Sequence, residues 1–570
     1  MTGGRIRILS ALAVLALVAT ACGDDDDSAS TDDVGSESTT ASSGSGEAPS
    51  GAEAPGRAAD ADTVVIGWTG DYNSLDPPDS LVEWNREASI ALYDQLLYYD
   101  LTEQPDGTLV WNGLEVAPAL AETWDIEENS VTFHLRDDAT FYPSGNPVTA
   151  DDVKYTFERA IEVPGFGAFN ANLAGIFEPT RQITVIDDQT VRFDFELSDG
   201  TPFLLTASLP SLRFPQFGIV DSEVVKSHAT EEDPWGHEWL KENTAGSGPY
   251  YIESHSPGTE LVLQARDDHW SGTPNYDRAI FRILASPADI TSLMLGGEVD
   301  LTFALPAQQL DALQDAGFNI VNAAIPDIWR VDITVDTPPL DDANVRQAIA
   351  YAIPYDAIIE NVFAAAERAY SYVNPAAPEF APTWDMYETD LDQARALLEE
   401  AGLGDGFSTD LYYNSGLAES ENMALLIQAS LAEIGIDVTL QPLPTTQFAE
   451  QTTAQVDGEN VMEGLTIRNG VIWLDDADPN TGLWVLTDGF SNATHYGRED
   501  LDAMHLENRF NPNLDERTAA YVTIQEEVAQ DAPFIPVAVK GRPGAVHPAV
   551  SGVAFTADPH LRTYLLHPAE

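Results

Sequence analysis

The densest group of residues able to do chemistry is Trp473-Leu474-Asp475-Asp476-Ala477-Asp478-Pro479, which sets three carboxylates within four positions behind a tryptophan. Asp476, Asp478 and Asn480 have the alternate spacing of calcium-loop ligands, but Pro479 interrupts the loop and its glycine is displaced to Gly482. Both departures argue against a calcium site. His237-Glu238 opens like the helix of a zinc peptidase, yet Lys241 stands where the second histidine must be. Ser247 lies between Gly246 and Gly248 without the framing of a nucleophile elbow. No G-x-x-x-x-G-K phosphate loop occurs, and one cysteine with ten scattered histidines forms no dense zinc signature. No cofactor or metal is therefore expected, and a dispersed triad is the one form of catalysis left open.

The elements that must position any site begin well inside the chain. Arg5 and Arg7 precede an apolar run from Ile8 to Ala21 that ends in small residues, the pattern of an export signal over residues 1–21. The run is shorter than the roughly 18–20 apolar residues of a spanning helix. Ala19-Thr20-Ala21-Cys22 resembles the bacterial lipoprotein box, with Ala19 in place of the usual leucine. Cys22 is accordingly the expected lipidation site; an incidental cysteine beside an ordinary cleavage site is the alternative. Residues 22–62 hold almost no large apolar side chains and predict a disordered tether, with Asp24–Asp27 as solvated spacer.

Ninety-four acidic against 26 basic residues leave a formal net charge of -68. The tether contributes ten acids against Arg57, so the folded part must carry most of the excess as an acidic surface. Such a surface repels nucleic acid and anionic membrane faces, which excludes both as partners. Adaptation to a saline environment, where self-repulsion is screened, is one hypothesis for this balance. The chain is 44% hydrophobic and more than 500 residues follow the tether, enough for a large core in more than one lobe.

Within that part, Thr63 to Trp68 reads as a strand, and Glu83 to Tyr98 has helical spacing. Val131, Phe133 and Leu135, then Val191, Phe193, Phe195 and Leu197, alternate at period two and predict half-buried strands. Between them, Thr149-Ala150-Asp151-Asp152 is a capped helix start, with Val153, Phe157 and Ile161 on one face. Further on, a helix from Asp392 to Ala401 stops at Gly402. Another from Asn422 to Ile434 stops at Gly435, and a strand from Ile436 to Leu440 follows at once. A late helix spans Asp515 to Gln530. This rhythm predicts a large mixed α/β protein.

The stretch from Pro118 to Ala160, PALAETWDIEENSVTFHLRDDATFYPSGNPVTADDVKYTFERA, closely resembles the oligopeptide-, dipeptide- and nickel-binding proteins of bacterial ABC importers, the extracellular family 5 of solute-binding proteins. The likeness continues through Ser74-Leu75-Asp76-Pro77, Leu92-Tyr93-Asp94-Gln95-Leu96 and Gly246-Ser247-Gly248-Pro249-Tyr250. Gly297-Glu298-Val299-Asp300, Val345-Arg346-Gln347-Ala348-Ile349 and Ala532-Pro533-Phe534-Ile535-Pro536 extend it along almost the whole mature chain. Asp267-Asp268-His269-Trp270 and Ile353-Pro354-Tyr355-Asp356 depart from the usual residues, in structural segments.

The resemblance implies an α/β, two-lobed periplasmic-binding-protein type II fold with an extra subdomain on lobe I. Lobe I would comprise residues 63–96, 185–322 and the return 535–570, the subdomain 97–184, and lobe II 323–534. Crossings near 320–325 and 530–536 would form the hinge, and closure of the cleft would bury the ligand. In peptide-binding members a Trp-x-x-Asp segment before Asp-Pro supplies a carboxylate to the peptide's α-ammonium. Counting back from Asp478-Pro479 gives that role to Asp475, with Trp473 shaping the adjacent pocket; the spacing is one residue short, which leaves Asp476 as the other choice. Leu81-Val82-Glu83 aligns with the stretch whose backbone runs beside a bound peptide, letting it pair as an added strand. His495 falls in a region that contributes to chelate binding in nickel-type members.

The function this implies is a lipoprotein, anchored outside the cytoplasmic membrane or in the periplasmic space, that acts as a monomer without catalysis. It would capture a small ligand, a di- or oligopeptide in the leading reading, and deliver it to an ABC permease with its ATPase subunits. A metal chelate, an opine or a sugar is the alternative ligand; a ligand sensor and a secreted hydrolase are the readings outside the class.

Overall fold

The computed structural model describes residues 54–570, apart from 80–82, 105–107, 128, 197–204, 304, 306, 364–365, 376, 457–460, 472–475, 490, 510, 512, 557–559 and 570. In chain order its strands are β1 (Thr63–Trp68), β2 (Leu97–Glu103), β3 (Leu109–Pro118), β4 (Ala121–Ile126), β5 (Ser130–Leu135), β6 (Ile183–Asp187), β7 (Thr190–Asp194), β8 (Tyr250–Ser256) and β9 (Glu260–Ala265). They continue as β10 (Arg278–Ile283), β11 (Leu301–Phe303), β12 (Asn319–Ile333), β13 (Ala366–Arg368), β14 (Phe407–Asn414), β15 (Ile436–Leu443), β16 (Leu465–Val471) and β17 (Phe534–Val546).

The alternating segments become a four-stranded sheet in the order β4-β5-β7-β6. Its inward set, Val131, Phe133, Val191 and Phe193, is buried against Val153 and Phe157 of the helix Ala150–Ala160. That helix starts where the sequence places it, because Asp152 accepts from the Thr149 N–H at 2.9 Å and from its hydroxyl at 2.7 Å. Leu197 lies outside the described residues. The first helix is shorter than its spacing predicts, Glu83–Leu92, because the chain must open into β2 at Leu97. Gly246 and Gly248 close over that corner. The Gly248 N–H donates to the Leu92 carbonyl at 3.1 Å, and a Cβ on either glycine would come within 2.4 Å of Leu92 backbone atoms. The Gly-Ser-Gly motif is thus a close backbone approach.

β2 and β3 pair with each other in a small sheet apart, and the other strands form one sheet in the order β15-β14-β16-β12-β17-β11-β1-β10-β9-β8, with β13 beside β17. It serves two separate cores. Val64, Ile66, Trp68, Leu261, Leu263 and Phe281 pack in the first lobe, and Ile328, Val331, Leu411, Ile427, Leu465 and Tyr521 in the second. The long strands β12 and β17 belong to both. Asn319–Ala323 pairs with Arg542–Val546 in the first lobe, Asp327–Asp332 with Phe534–Lys540 in the second, and the register shifts between Ala323 and Asp327. A bulge in paired strands is a ready bending point. The return to the first lobe, expected at residue 535, falls inside β17, which stays paired with the second lobe through Lys540.

Strand directions decide where the lobes face each other. β1 runs parallel to β10 and β11, and both β11 and β12 run antiparallel to β17. β12 leaves the first lobe for the second, so the C-terminal ends of β1, β10 and β11 point the same way. β16 is antiparallel to β12, and β14 and β15 run with β16, so their C-terminal ends point back toward the first lobe. Both halves of the sheet therefore send their carboxyl ends to one gap, the place where open α/β sheets bind ligands.

The tether needs a correction. Residues 54–62 were expected in the disordered segment, but they dock on the first lobe. Arg57 donates to both oxygens of Asp300, at 2.6 and 2.8 Å, and to the Thr63 carbonyl. The Ala58 N–H donates to Gly297 at 2.7 Å, and His547 Nε2 lies 2.7 Å from the Pro55 carbonyl. Composition hid this, because a single arginine facing a buried carboxylate holds a segment whose only apolar contacts with the core are the small side chains of Ala54 and Ala59. The export signal, Cys22 and residues 22–53 lie outside the described residues.

Candidate functional site

The gap is lined by the segments that leave the strand ends. In the first lobe, the chain after β1 turns through Gly70, where a Cβ would come within 2.0 Å of the Trp84 indole nitrogen. Trp84 stands beside Trp68 with ring centroids 5.3 Å apart, and Trp68 donates to Glu87 at 2.7 Å. Next, Asp71 and Tyr72 hold His255 of the β8–β9 hairpin, at 3.0 Å to Nε2 and 2.8 Å to Nδ1. Glu83 opens the helix Glu83–Leu92 at this lip. Leu81 and Val82, expected with it, lie outside the described residues.

In the second lobe, β16 ends at Val471, opposite Asp327 of β12. Trp473 and Asp475 lie outside the described residues. The chain re-enters at Asp476, which caps the helix Ala477–Trp484 by accepting from the Asp478 N–H at 2.7 Å. Asp476 is buried and its Oδ1 also accepts from Arg517 Nη2 at 2.7 Å. The other arm of Arg517 grips Glu379. Asp478 accepts from the Tyr521 hydroxyl at 2.9 Å and from Arg509 Nε at 3.0 Å, with His505 Nε2 at 3.4 Å. The calcium spacing is thereby explained otherwise: two of its carboxylates are bound to guanidinium groups at a helix start. Among the described residues no group of three or more His, Cys, Asp or Glu is placed to hold a metal ion.

This buried network has strong electrostatic consequences. Burial, then the neighbouring Asp476 charge, pushes the Glu379 carboxyl up to about 7 against the pull of Arg517. Burial also raises Asp476, which Arg517 only partly offsets, and it lowers His505. Asp476 is thus engaged by the helix it caps and by Arg517. Arg517 was not singled out from sequence, although a signal exists. It shares the buried face of the helix Leu514–Asp531 with Tyr521, Ile524 and Val528, and an arginine in a core-facing register implies a buried counter-charge.

His495 is a second correction. Its Nδ1 lies 2.9 Å from Asp336 and its Nε2 2.8 Å from the Gln455 carbonyl. Asp336 follows the C-terminal end of β12, at the pole of the second lobe remote from the gap, so proximity to the acidic segment in sequence does not bring His495 to it. Ser247 is buried and donates its hydroxyl to Asp94 at 2.9 Å, so its proton is committed to a carboxylate that is itself buried. His237 lies 2.8 Å from Asp76, which Arg159 holds bidentately at 2.7 Å, and Lys241 pairs with Glu238.

Two halves of one sheet, joined by two crossing strands and with their carboxyl ends turned to one gap, define a two-lobed protein built to bend around a bound molecule. The model of the bacterial extracellular solute-binding proteins, family 5 (middle region), matches residues 115–492, and the chain belongs to that family. It is 27% identical over 509 residues to the probable D,D-dipeptide-binding periplasmic protein DdpA of Escherichia coli K12, covering 87% of this chain and 92% of that one. It is also 27% identical over 486 residues to heme-binding protein A of Haemophilus influenzae, covering 80% and 84% of the two chains. The dipeptide binding protein of Pseudoalteromonas sp. SM9913, solved in complex with Met-Leu, superposes with a TM-score of 0.70 at 21% identity, over 89% of this chain and 100% of that one. The fold is the type II periplasmic-binding-protein fold, as the resemblance implied. Its family consists of solute-binding proteins that work outside the cytoplasm, and among the described residues no helix is long and apolar enough to cross a membrane.

Proposed function

We propose that this protein captures a di- or oligopeptide with a free amino terminus and delivers it to an ABC permease driven by its ATPase subunits. The observation that carries the reading is the convergence of both sets of strand ends on one gap, in a family whose relatives include dipeptide-binding proteins. Asp475 takes the α-ammonium, because a buried ammonium needs a paired carboxylate and the neighbouring Asp476 already holds Arg517. Trp473 walls the pocket, and the backbone of Leu81, Val82 and Glu83 pairs with the ligand's main chain. Bending at Ala323–Asp327 in β12, and opposite it in β17, closes the lobes. Cys22 carries the lipid that keeps the protein, as a monomer, on the outer face of the membrane.

Thermal unfolding of the mature protein against di- to pentapeptides, nickel chelates, opines and sugars tests this. A ligand at 100 times its Kd adds about 2.7 kcal/mol of stability. A midpoint raised by peptides, and not by their N-acetylated forms, is the expected result. A midpoint raised only by chelates, opines or sugars would move the substrate, and none raised at all would return the sensor and hydrolase readings.

A further inference from the structure

Where the two lobes join, one carboxylate has no ion-pair partner among the described residues. Asp327 is the first residue of β12 after the bulge, with Lys540 of β17 opposite on one side and Val471 of β16 on the other. It therefore sits at the root of the gap. Its partners are neutral and distant: Trp329 Nε1 at 3.2 Å and Asn469 Nδ2 at 3.3 and 3.5 Å. Lys540 is committed elsewhere, its Nζ donating to Glu419 at 2.9 Å. Arg330 and Arg468 share Asp332, at 2.6 and 3.0 Å, and neither bonds Asp327. No cation among the described residues therefore comes within ion-pair distance of Asp327, although Lys540 and Arg330 lie near enough to act on it through space. Asp327 keeps some contact with solvent, yet burial pushes its carboxyl above the usual range, and Asn469, Lys540, Trp329 and Arg330 offset this only partly.

A protein gains nothing in stability from a desolvated, unpaired carboxylate, and such groups persist where a ligand completes them. We propose that Asp327 is a specificity residue that pairs with a cationic side chain of the ligand, so that the preferred substrates are short peptides bearing a basic residue. This rests on the peptide reading above and adds a contact separate from the one that holds the amino terminus.

The test compares Ala-Arg with Ala-Gln by calorimetric titration of the mature wild type and of Asp327→Asn, alongside the thermal midpoint of each protein without ligand. The wild type is expected to bind Ala-Arg at least about tenfold more tightly. Asp327→Asn should abolish that preference, keep the Ala-Gln affinity within about twofold, and melt higher than wild type without ligand, because a desolvated carboxylate with no ion-pair partner is removed. A wild type that binds both peptides equally, or a variant that keeps the preference, overturns the assignment and leaves the peptide reading standing. A variant that melts lower makes Asp327 a structural residue and overturns it too. A wild type that binds neither peptide overturns the peptide reading together with this one.

Discussion

Replacing Arg517 by methionine removes the one cation between two buried carboxylates, and its consequences can be worked through. Arg517 bonds Asp476 and Glu379, and all three side chains are almost wholly buried. Breaking a buried pair by deleting one partner costs about 3–5 kcal/mol, since the other charge stays behind. For a cooperative unit the size of the second lobe, each kcal/mol moves the midpoint by about 2–4 °C, so the variant should melt roughly 6–20 °C lower at neutral pH. The loss has a characteristic pH dependence. Glu379 already sits near 7 against an ordinary 4.5, so the folded state holds a proton that the unfolded chain releases. At this group, stability falls as pH rises from 4.5 to about 7. Without Arg517 the Glu379 carboxyl rises further. At about pH 5.5 it should be protonated, so its stranded charge disappears and the loss of stability is smaller than at neutral pH. Calorimetry of wild type and Arg517→Met at both pH values reads this directly. A neutral-pH loss under about 2 °C, or a loss that grows on acidification, would refute the electrostatic account of this network.

Other consequences are simpler to check. Asp300→Asn should release residues 54–62, and trypsin should then cut after Arg57, the sole basic residue between Cys22 and Asp62, at least about tenfold faster; an unchanged rate would mean that the docking does not depend on this pair. Cys22→Ser should move the protein from the membrane to the soluble fraction on cell fractionation. If the acidic surface is a saline adaptation, molar salt should raise the thermal midpoint by screening a net charge of -68; a midpoint indifferent to salt would sink the idea.

What the sequence shows and hides follows the range of the interactions. The capped helix at Thr149 and the strands around Phe133 and Phe193 were legible because their signals are local: a capping box, and side chains alternating over six residues. The acidic segment was legible as a segment, but the division of labour within it was not. Asp476 is tied down by Arg517, 41 residues away, and by nothing within its own motif except the cap. His495 misled because closeness along the chain to the acidic segment does not make it a neighbour in space, and its partners Asp336 and Gln455 lie at the opposite pole. The crossing in β17 was expected near 530–536, ahead of where the partners change, since Phe534 to Val546 is one strand and only its partners change lobe. Asp327 was invisible for a related reason. A single acid at a strand start carries no pattern, and its significance comes from what fails to pair with it.

The central claim is that the gap between the strand ends holds a peptide by its free amino terminus, and calorimetric titration of the mature protein with a dipeptide and its N-acetylated twin addresses it most directly. Saturable binding of the free dipeptide near one to one, lost on acetylation and weakened at least about tenfold in Asp475→Asn, is the predicted result. Equal binding of both forms, with Asp475→Asn indistinguishable from wild type, would contradict it.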